Sequence, residues 1–152
     1  MKSWMSILVL GMVSGIGLHS GGVFEPEDAE RAAVEAAVTD YVQALYKAEP
    51  ERIARAVHPA LQKTGVYRRP DSKEYGVRSN MNFDQLKHLA GQWNKGGRRT
   101  DLKYKVEVFD VLDQTACAKL TADWGIDYME LLKCEGQWKI LHVLWQSHPP
   151  KR

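Results

Sequence analysis

The chain has 152 residues, 44% hydrophobic and 26% charged, with 21 Lys and Arg against 19 Asp and Glu. That length suits one hydrophobic core, and that usage excludes a disordered, collagenous or coiled-coil chain. A net charge of +2 with the two signs interspersed lacks the basic stripe of a nucleic-acid surface, so no nucleic-acid partner is expected.

Residues 1–22 have the three-part form of a secretory signal peptide. Lys2 precedes an apolar run from Trp4 to Leu18, and the small residues Ser20, Gly21 and Gly22 follow. The run is 15 residues long and interrupted by Gly11, Gly15 and Gly17, short of the roughly 20 that a spanning helix needs. The reading is an exported protein, periplasmic or secreted. It has a signal peptide over 1–22, a single domain over 23–152 and no stable membrane span once the leader is removed.

Glu25-Pro26-Glu27-Asp28 opens a helix: proline suits the first turn and the acids complement the positive end of the helix dipole. From Asp28 to Lys47, Val34, Val38, Tyr41, Val42 and Leu45 recur at spacings of three and four, a helical stripe. Pro50 starts a short second helix through Val57, which His58-Pro59 ends. Thr64–Arg68 and Glu74–Arg78 read as a small hairpin around the turn Arg69–Lys73. Asn82 then caps a third helix, with Gln85 completing a capping box and Met81 positioned to staple onto Leu86. It runs to Asn94, burying Phe83, Leu86, Leu89, Ala90 and Trp93, before Gly96-Gly97 stops it.

Four runs of strand length follow: Leu102–Leu112, Thr115–Trp124, Ile126–Cys134 and Trp138–Trp145. The turns between them, at Asp113-Gln114, Gly125 and Glu135-Gly136, are too short for parallel crossovers, so the four form an antiparallel meander. Helices and a hairpin before a meander predict α+β, with helices on one face of a bent antiparallel sheet. A turn near Gly125 sets Cys117 opposite residue 133 or 134. A cross-strand disulfide between Cys117 and Cys134 and two free thiols are both open, and a one-residue slip removes the question. Neither cysteine has a Cys or His at zinc-ligand spacing.

His58-Pro59, Gly65-Val66-Tyr67-Arg68, Trp93-Asn94, Trp124-Gly125-Ile126-Asp127-Tyr128 and the closing Gly136-Gln137-Trp138-Lys139-Ile140 with Val143-Leu144-Trp145 carry a resemblance. Over roughly residues 30–147 the chain resembles the putative lumazine-binding family of the nuclear transport factor 2-like superfamily. The resemblance implies a cone: a curved sheet wraps around the N-terminal helices and leaves an apolar pocket at its open end. It also implies a homodimer through the outer sheet face. Superfamily relatives include ketosteroid isomerase, scytalone dehydratase and polyketide cyclases beside non-enzymatic members, and fold alone does not choose among them.

An enzyme of that superfamily needs an acid or base inside the pocket. Strand alternation puts Asp127 with Met129 and Leu131, opposite Ile126, Tyr128 and Glu130, so Asp127 is either a pocket carboxylate or a solvated residue beside a turn. His142 falls with Trp138, Ile140 and Leu144, as a core histidine or as the proton-transfer partner of Asp127 on the neighbouring strand. His58 reads as a helix cap and His148 as tail. Tyr41, Tyr67, Trp93, Trp124, Tyr128 and Trp145 are candidate walls for a ring-shaped ligand. Arg68-Arg69 and Arg98-Arg99 read as solvated loop pairs. Phosphate-loop, dinucleotide, serine-hydrolase and zincin motifs are absent from the sequence, so neither metal nor cofactor is expected. Three functions follow. The first is an exported domain, non-catalytic or of unproven activity, binding a small apolar or aromatic ligand. The others are a cofactor-independent lyase or isomerase using Asp127 and His142, and a dimeric interaction module.

Overall fold

The computed structural model describes residues 26–72 and 74–150; the expected leader lies outside them. In chain order the elements are α1 (Pro26–Tyr46), α2 (Glu51–Ala56), β1 (Val57–Arg68), β2 (Tyr75–Met81), α3 (Phe83–Trp93), β3 (Lys105–Val111), β4 (Thr115–Ala122), β5 (Gly125–Cys134) and β6 (Gln137–Gln146). The strands form one curved, open, six-stranded sheet in the order β2-β1-β6-β5-β4-β3. The hairpin and the meander are antiparallel as expected, but β1 runs parallel to β6 where the two units join, so the sheet is mixed and not the wholly antiparallel one expected from the sequence. The fold is α+β.

The stripe on α1 is buried throughout: Val34, Val38, Tyr41, Val42 and Leu45 all sit in the core. Burying each aliphatic side chain is worth about 1.5–3 kcal/mol. The facing strand β4 turns Ala116, Ala118, Leu120 and Ala122 inward, mostly small residues that leave room for the helix. Polar ties fix the helix along its length. Arg31 donates to the Val108 carbonyl at 2.8 Å, Glu30 accepts from Lys133 at 2.6 Å and Trp138 at 2.7 Å, and the Tyr46 hydroxyl donates to the Lys103 carbonyl at 2.8 Å. The capping box on α3 forms as read, with Asn82 and Gln85 each accepting from the other's backbone amide at 3.0 Å.

Three further features depart from the sequence reading. First, β1 starts at Val57, directly after α2, instead of at Thr64. Its register against β6 jumps from Val57↔Ile140 to Gln62↔His142. This irregularity accommodates Pro59, which has no amide hydrogen for a ladder. There the Nδ1 of His58 accepts from the Ala60 amide at 3.1 Å, a local turn contact and not a helix cap.

Second, β6 is bulged. Glu130↔His142 is followed by Leu131↔Ile140, so Leu141 is unpaired. One extra residue reverses the faces beyond it. Trp138 and Ile140 point inward, as do Val143 and Trp145, whereas His142 and Leu144 point outward. Continuous alternation would have grouped His142 and Leu144 with Trp138.

Third, β4 and β5 are joined by the two-residue turn Asp123-Trp124, which pairs Cys117 with Glu130. Cys134 instead lies opposite Gln137 on β6. The two cysteines are therefore not cross-strand neighbours, and both are free.

Gly65 positions the site described next. It is paired with Trp145 across β1 and β6, and a β-carbon there would lie 2.1 Å from Cδ1 and 2.4 Å from Cγ of that indole. Because Cγ is at the root of the side chain, rotation of the ring cannot relieve the clash. Gly65→Ala is expected to cost about 1–3 kcal/mol, the range for overpacking, with a changed tryptophan emission spectrum; chemical denaturation followed by fluorescence measures both.

Candidate functional site

Between α1, α3 and the concave face of the sheet lies a hollow of about 160 Å³. Tyr41 and Leu45 of α1, Leu86 of α3 and Lys63 of β1 form its buried floor. Met81, Leu89, Trp93, Trp124 and Trp145, each partly exposed, form the rim. The helix α3 was expected to bury Leu89 and Trp93; they remain partly open because they edge this hollow.

The floor carries a polar network. Asp127 is 0% exposed and sits in one cross-strand row with Trp145 and Gly65. Its Oδ1 accepts from the Lys63 ammonium at 3.0 Å. Its Oδ2 accepts from the Tyr41 hydroxyl at 3.2 Å and the Trp124 indole at 3.0 Å. Lys63 also donates to the Tyr41 oxygen at 2.6 Å. Its ammonium stands 5.6 Å from the Trp145 ring centre and 5.3 Å from that of Tyr41, within cation–π range.

Each member is placed by a local rule. Lys63 shares the inward face of β1 with Leu61 and Gly65, and the missing side chain at Gly65 gives the Trp145 ring its place. Trp124 occupies the β4–β5 turn, three residues before Asp127. Tyr41 belongs to the apolar stripe of α1.

Burial pushes the Lys63 ammonium below its ordinary value, and the Asp127 charge and hydrogen bond work against that shift. Burial pushes the Tyr41 phenol well above its ordinary value, with the charge and hydrogen bond of Asp127 adding to the effect.

The rim is an aromatic cluster. Trp93 and Trp124 meet edge to face at 5.4 Å, and Tyr46 stacks on Trp93 at 5.5 Å. Arg99 covers Trp93 at 4.6 Å while pairing with Asp123 at 3.0 Å, so this arginine braces the rim instead of lying free in a loop. Asn94 holds the same corner, donating to the carbonyls of Tyr46 and Arg99 and accepting from the Arg99 amide.

Of the six aromatic candidates, Tyr41, Trp93, Trp124 and Trp145 line the hollow. Tyr67, 40% exposed, lies near the end of β1, and Tyr128, 49% exposed, is on the outer sheet face. Asp127 is inward, as alternation indicates, and is neither solvated nor part of the lining; three donors occupy its oxygens. His142 is on the opposite face, where Nδ1 meets Glu130 at 2.9 Å in the open. The expected Asp127–His142 pair therefore does not form, because the bulge at Leu141 turns the imidazole outward. His148, read as tail, contacts the Ala122 carbonyl at 2.8 Å.

Sequence reasoning missed Lys63. The signal was the alternation Leu61-x-Lys63-x-Gly65, hidden by starting the strand at Thr64. Among the described residues no three His, Cys, Asp or Glu side chains gather in a group able to hold a metal.

Residues 29–146 match the family described as putative lumazine-binding. Among solved structures, a nuclear transport factor 2-like protein of unknown function from Shewanella baltica is 20% identical, aligning over 80% of this chain and 95% of its own with a TM-score of 0.64. A protein of the same description from Silicibacter pomeroyi is 19% identical over 79% and 97% of the two chains, TM-score 0.63. A putative scytalone dehydratase from Novosphingobium aromaticivorans is 16% identical over 82% and 95%, TM-score 0.55. At these identities the likeness is one of fold. No curated protein matches the sequence.

Two outcomes follow from the network. Asp127→Ala leaves the Lys63 ammonium buried without its partner and is expected to cost about 3–5 kcal/mol, whereas Lys63→Met with Asp127→Leu removes both charges and is expected to cost much less; denaturant titrations of the two variants compare them. The second concerns pH. The folded state keeps the Tyr41 proton above the ordinary tyrosine value near 10, where the unfolded chain loses it. The stabilisation is therefore complete below about pH 10 and declines as pH rises toward the folded value. Stability of the native protein should fall more steeply above pH 10 than that of Tyr41→Phe, with a difference in slope approaching ~1.4 kcal/mol per pH unit; Lys63 titrates in both proteins.

Proposed function

The chain belongs to the putative lumazine-binding family, and on that premise we propose that it is an exported domain that binds a small, flat ligand in the hollow and performs no chemistry on it. The observation that carries this reading is the combination of an aromatic-rimmed apolar hollow of about 160 Å³ with one buried ammonium on its floor. Binding sites have that composition: mostly apolar and aromatic walls with a few placed polar groups. A dry apolar cavity of about 150 Å³ accepts benzene, so this hollow suits one substituted ring and is too small for a steroid without opening.

A lyase or isomerase built on Asp127 and His142 finds no support in the geometry. The carboxylate is enclosed by Tyr41, Lys63 and Trp124, and the imidazole faces the other side of the sheet. A module with a plugged pocket is also disfavoured, since the hollow is open space.

Export rests on Lys2, the apolar run Trp4–Leu18 and the small residues after it. Among the described residues no helix is long and apolar enough to cross a membrane. A homodimer is supported by the outer sheet face, where Tyr128 and Leu144, paired across β5 and β6, stand 49% and 63% exposed. Removing Lys2 with the leader leaves the domain nearly neutral, which argues against nucleic acid as a partner.

Native mass spectrometry of the full chain, expressed in its own host and recovered from the secreted or envelope fraction, tests the reading in one measurement. The expected result is a chain shortened by about 22 residues, as a secretory leader implies, as a dimer that retains a small molecule. An intact leader removes export, a monomer at micromolar concentration removes the dimer, and empty protein together with a tryptophan spectrum indifferent to added aromatic compounds removes the binding function.

A further inference from the structure

We infer that the hollow selects uncharged ring compounds bearing a carbonyl-type acceptor and rejects the corresponding carboxylates, with Lys63 as the residue that reads the acceptor. The inference rests on the binding reading of this same site and names its ligand class. Among the described residues Lys63 is the one charged side chain in the lining. Its ammonium has three hydrogens; Tyr41 takes one at 2.6 Å and Asp127 a second at 3.0 Å, which leaves one for a ligand. A carbonyl oxygen or an aromatic ring nitrogen satisfies it, and the flat remainder of such a molecule fits between the tryptophans.

Charge balance decides the sign of the selectivity. Asp127 is fully buried behind the lining and pairs with the Lys63 ammonium at 3.0 Å, so the pair carries no net charge. An incoming carboxylate would be stripped of water in an apolar hollow and would meet an ammonium whose charge is already matched, with a second carboxylate just beyond it. The floor would then carry a net buried negative charge, which is costly in a low-dielectric site. A neutral carbonyl gives up less hydration and adds no charge. An unpaired lysine in the same place would prefer the anion; the carboxylate behind it reverses that preference.

Benzamide, benzoate and toluene are matched probes of one ring each, titrated into the full chain at pH 7 while the indole N–H resonances are followed by NMR. Benzamide is expected to bind at least tenfold more tightly than benzoate and more tightly than toluene. Lys63→Met should make benzamide and toluene equivalent. Asp127→Asn, which keeps the shape and removes the counter-charge, should lower the benzamide-to-benzoate preference at least tenfold. Thermal melts establish that each variant is folded; should Asp127→Asn fail to fold, the ratios in the native protein and in Lys63→Met are sufficient. Benzoate binding as tightly as benzamide, or toluene matching benzamide in the native protein, overturns the inference while leaving the binding function intact. If all three compounds leave the indole resonances unmoved, the inference and the binding function fall together.

Discussion

A lysine and an aspartate, both removed from water and joined at 3.0 Å, are the constraint around which this molecule is organised. Dehydrating two charges costs several kcal/mol each, and their attraction offsets that only when geometry is good and the remaining hydrogen-bonding capacity is filled. Here four elements fill all of it but one ammonium hydrogen: α1 brings the Tyr41 hydroxyl, β1 the ammonium, β5 the carboxylate and the β4–β5 turn the Trp124 indole. The network therefore fixes the angle at which α1 crosses the sheet and the position of the β4–β5 turn. It also accounts for Gly65, since the Trp145 ring that lies beside the ammonium occupies the space a larger residue would take. An apolar core of the same size would be as stable or more so. The pair lies against a hollow instead of within solid packing, and the proposed binding function rests on that placement.

The bulge at Leu141 divides the function of the sheet. Before it, β6 contributes Trp138 and Ile140 to the core; after it, Trp145 enters the hollow while His142 and Leu144 face out. One unpaired residue thus supplies an aromatic wall to the inner face and clears the histidine from it. Among the described residues the inner face has no imidazole within reach of the buried carboxylate. Asp127 and His142 therefore do not meet, although the surrounding fold is similar to that of a putative scytalone dehydratase. Fold sets where a hollow lies; the side chains at its floor set what it does.

The legible part of the sequence was the part governed by local periodicity. The α1 stripe, the Asn82–Gln85 capping box and the two-residue turn at Glu135-Gly136 are each encoded within a few residues, and each appears as read. Alternation also grouped Asp127 with Met129 and Leu131, the set that turns inward, but did not choose between a pocket carboxylate and a solvated one. The illegible part depends on register, which is a property of two strands together. Cys117 and Cys134 were brought near one another by placing the turn at Gly125; moving it to Asp123-Trp124 shifts every partner and separates them. The bulge in β6 has no local mark, because Leu141 differs in no way from a regular strand residue. Lys63 was concealed by its type: a charged residue argues against an inward position unless its counter-charge is known, and Asp127 lies 64 positions further along the chain.

Floor and rim of the hollow differ in stiffness, and the difference bears on selectivity. Tyr41 and Lys63 are locked by hydrogen bonds to a fully buried carboxylate, so the polar end of the site cannot move without breaking the network. Met81 and Leu89 at the mouth are partly exposed and make no such bonds, and an unbranched methionine adapts its shape readily. Trp93 stands between these extremes, clamped by Tyr46 on one side and Arg99 on the other. On the proposed binding reading, a ligand is discriminated sharply at the end that meets Lys63, where one hydrogen bond and one unit of charge are at stake. At the mouth, where an added methylene changes the energy by about 0.8 kcal/mol, it is discriminated only weakly. The physical consequence is a site strict about the head group of its guest and permissive about the tail.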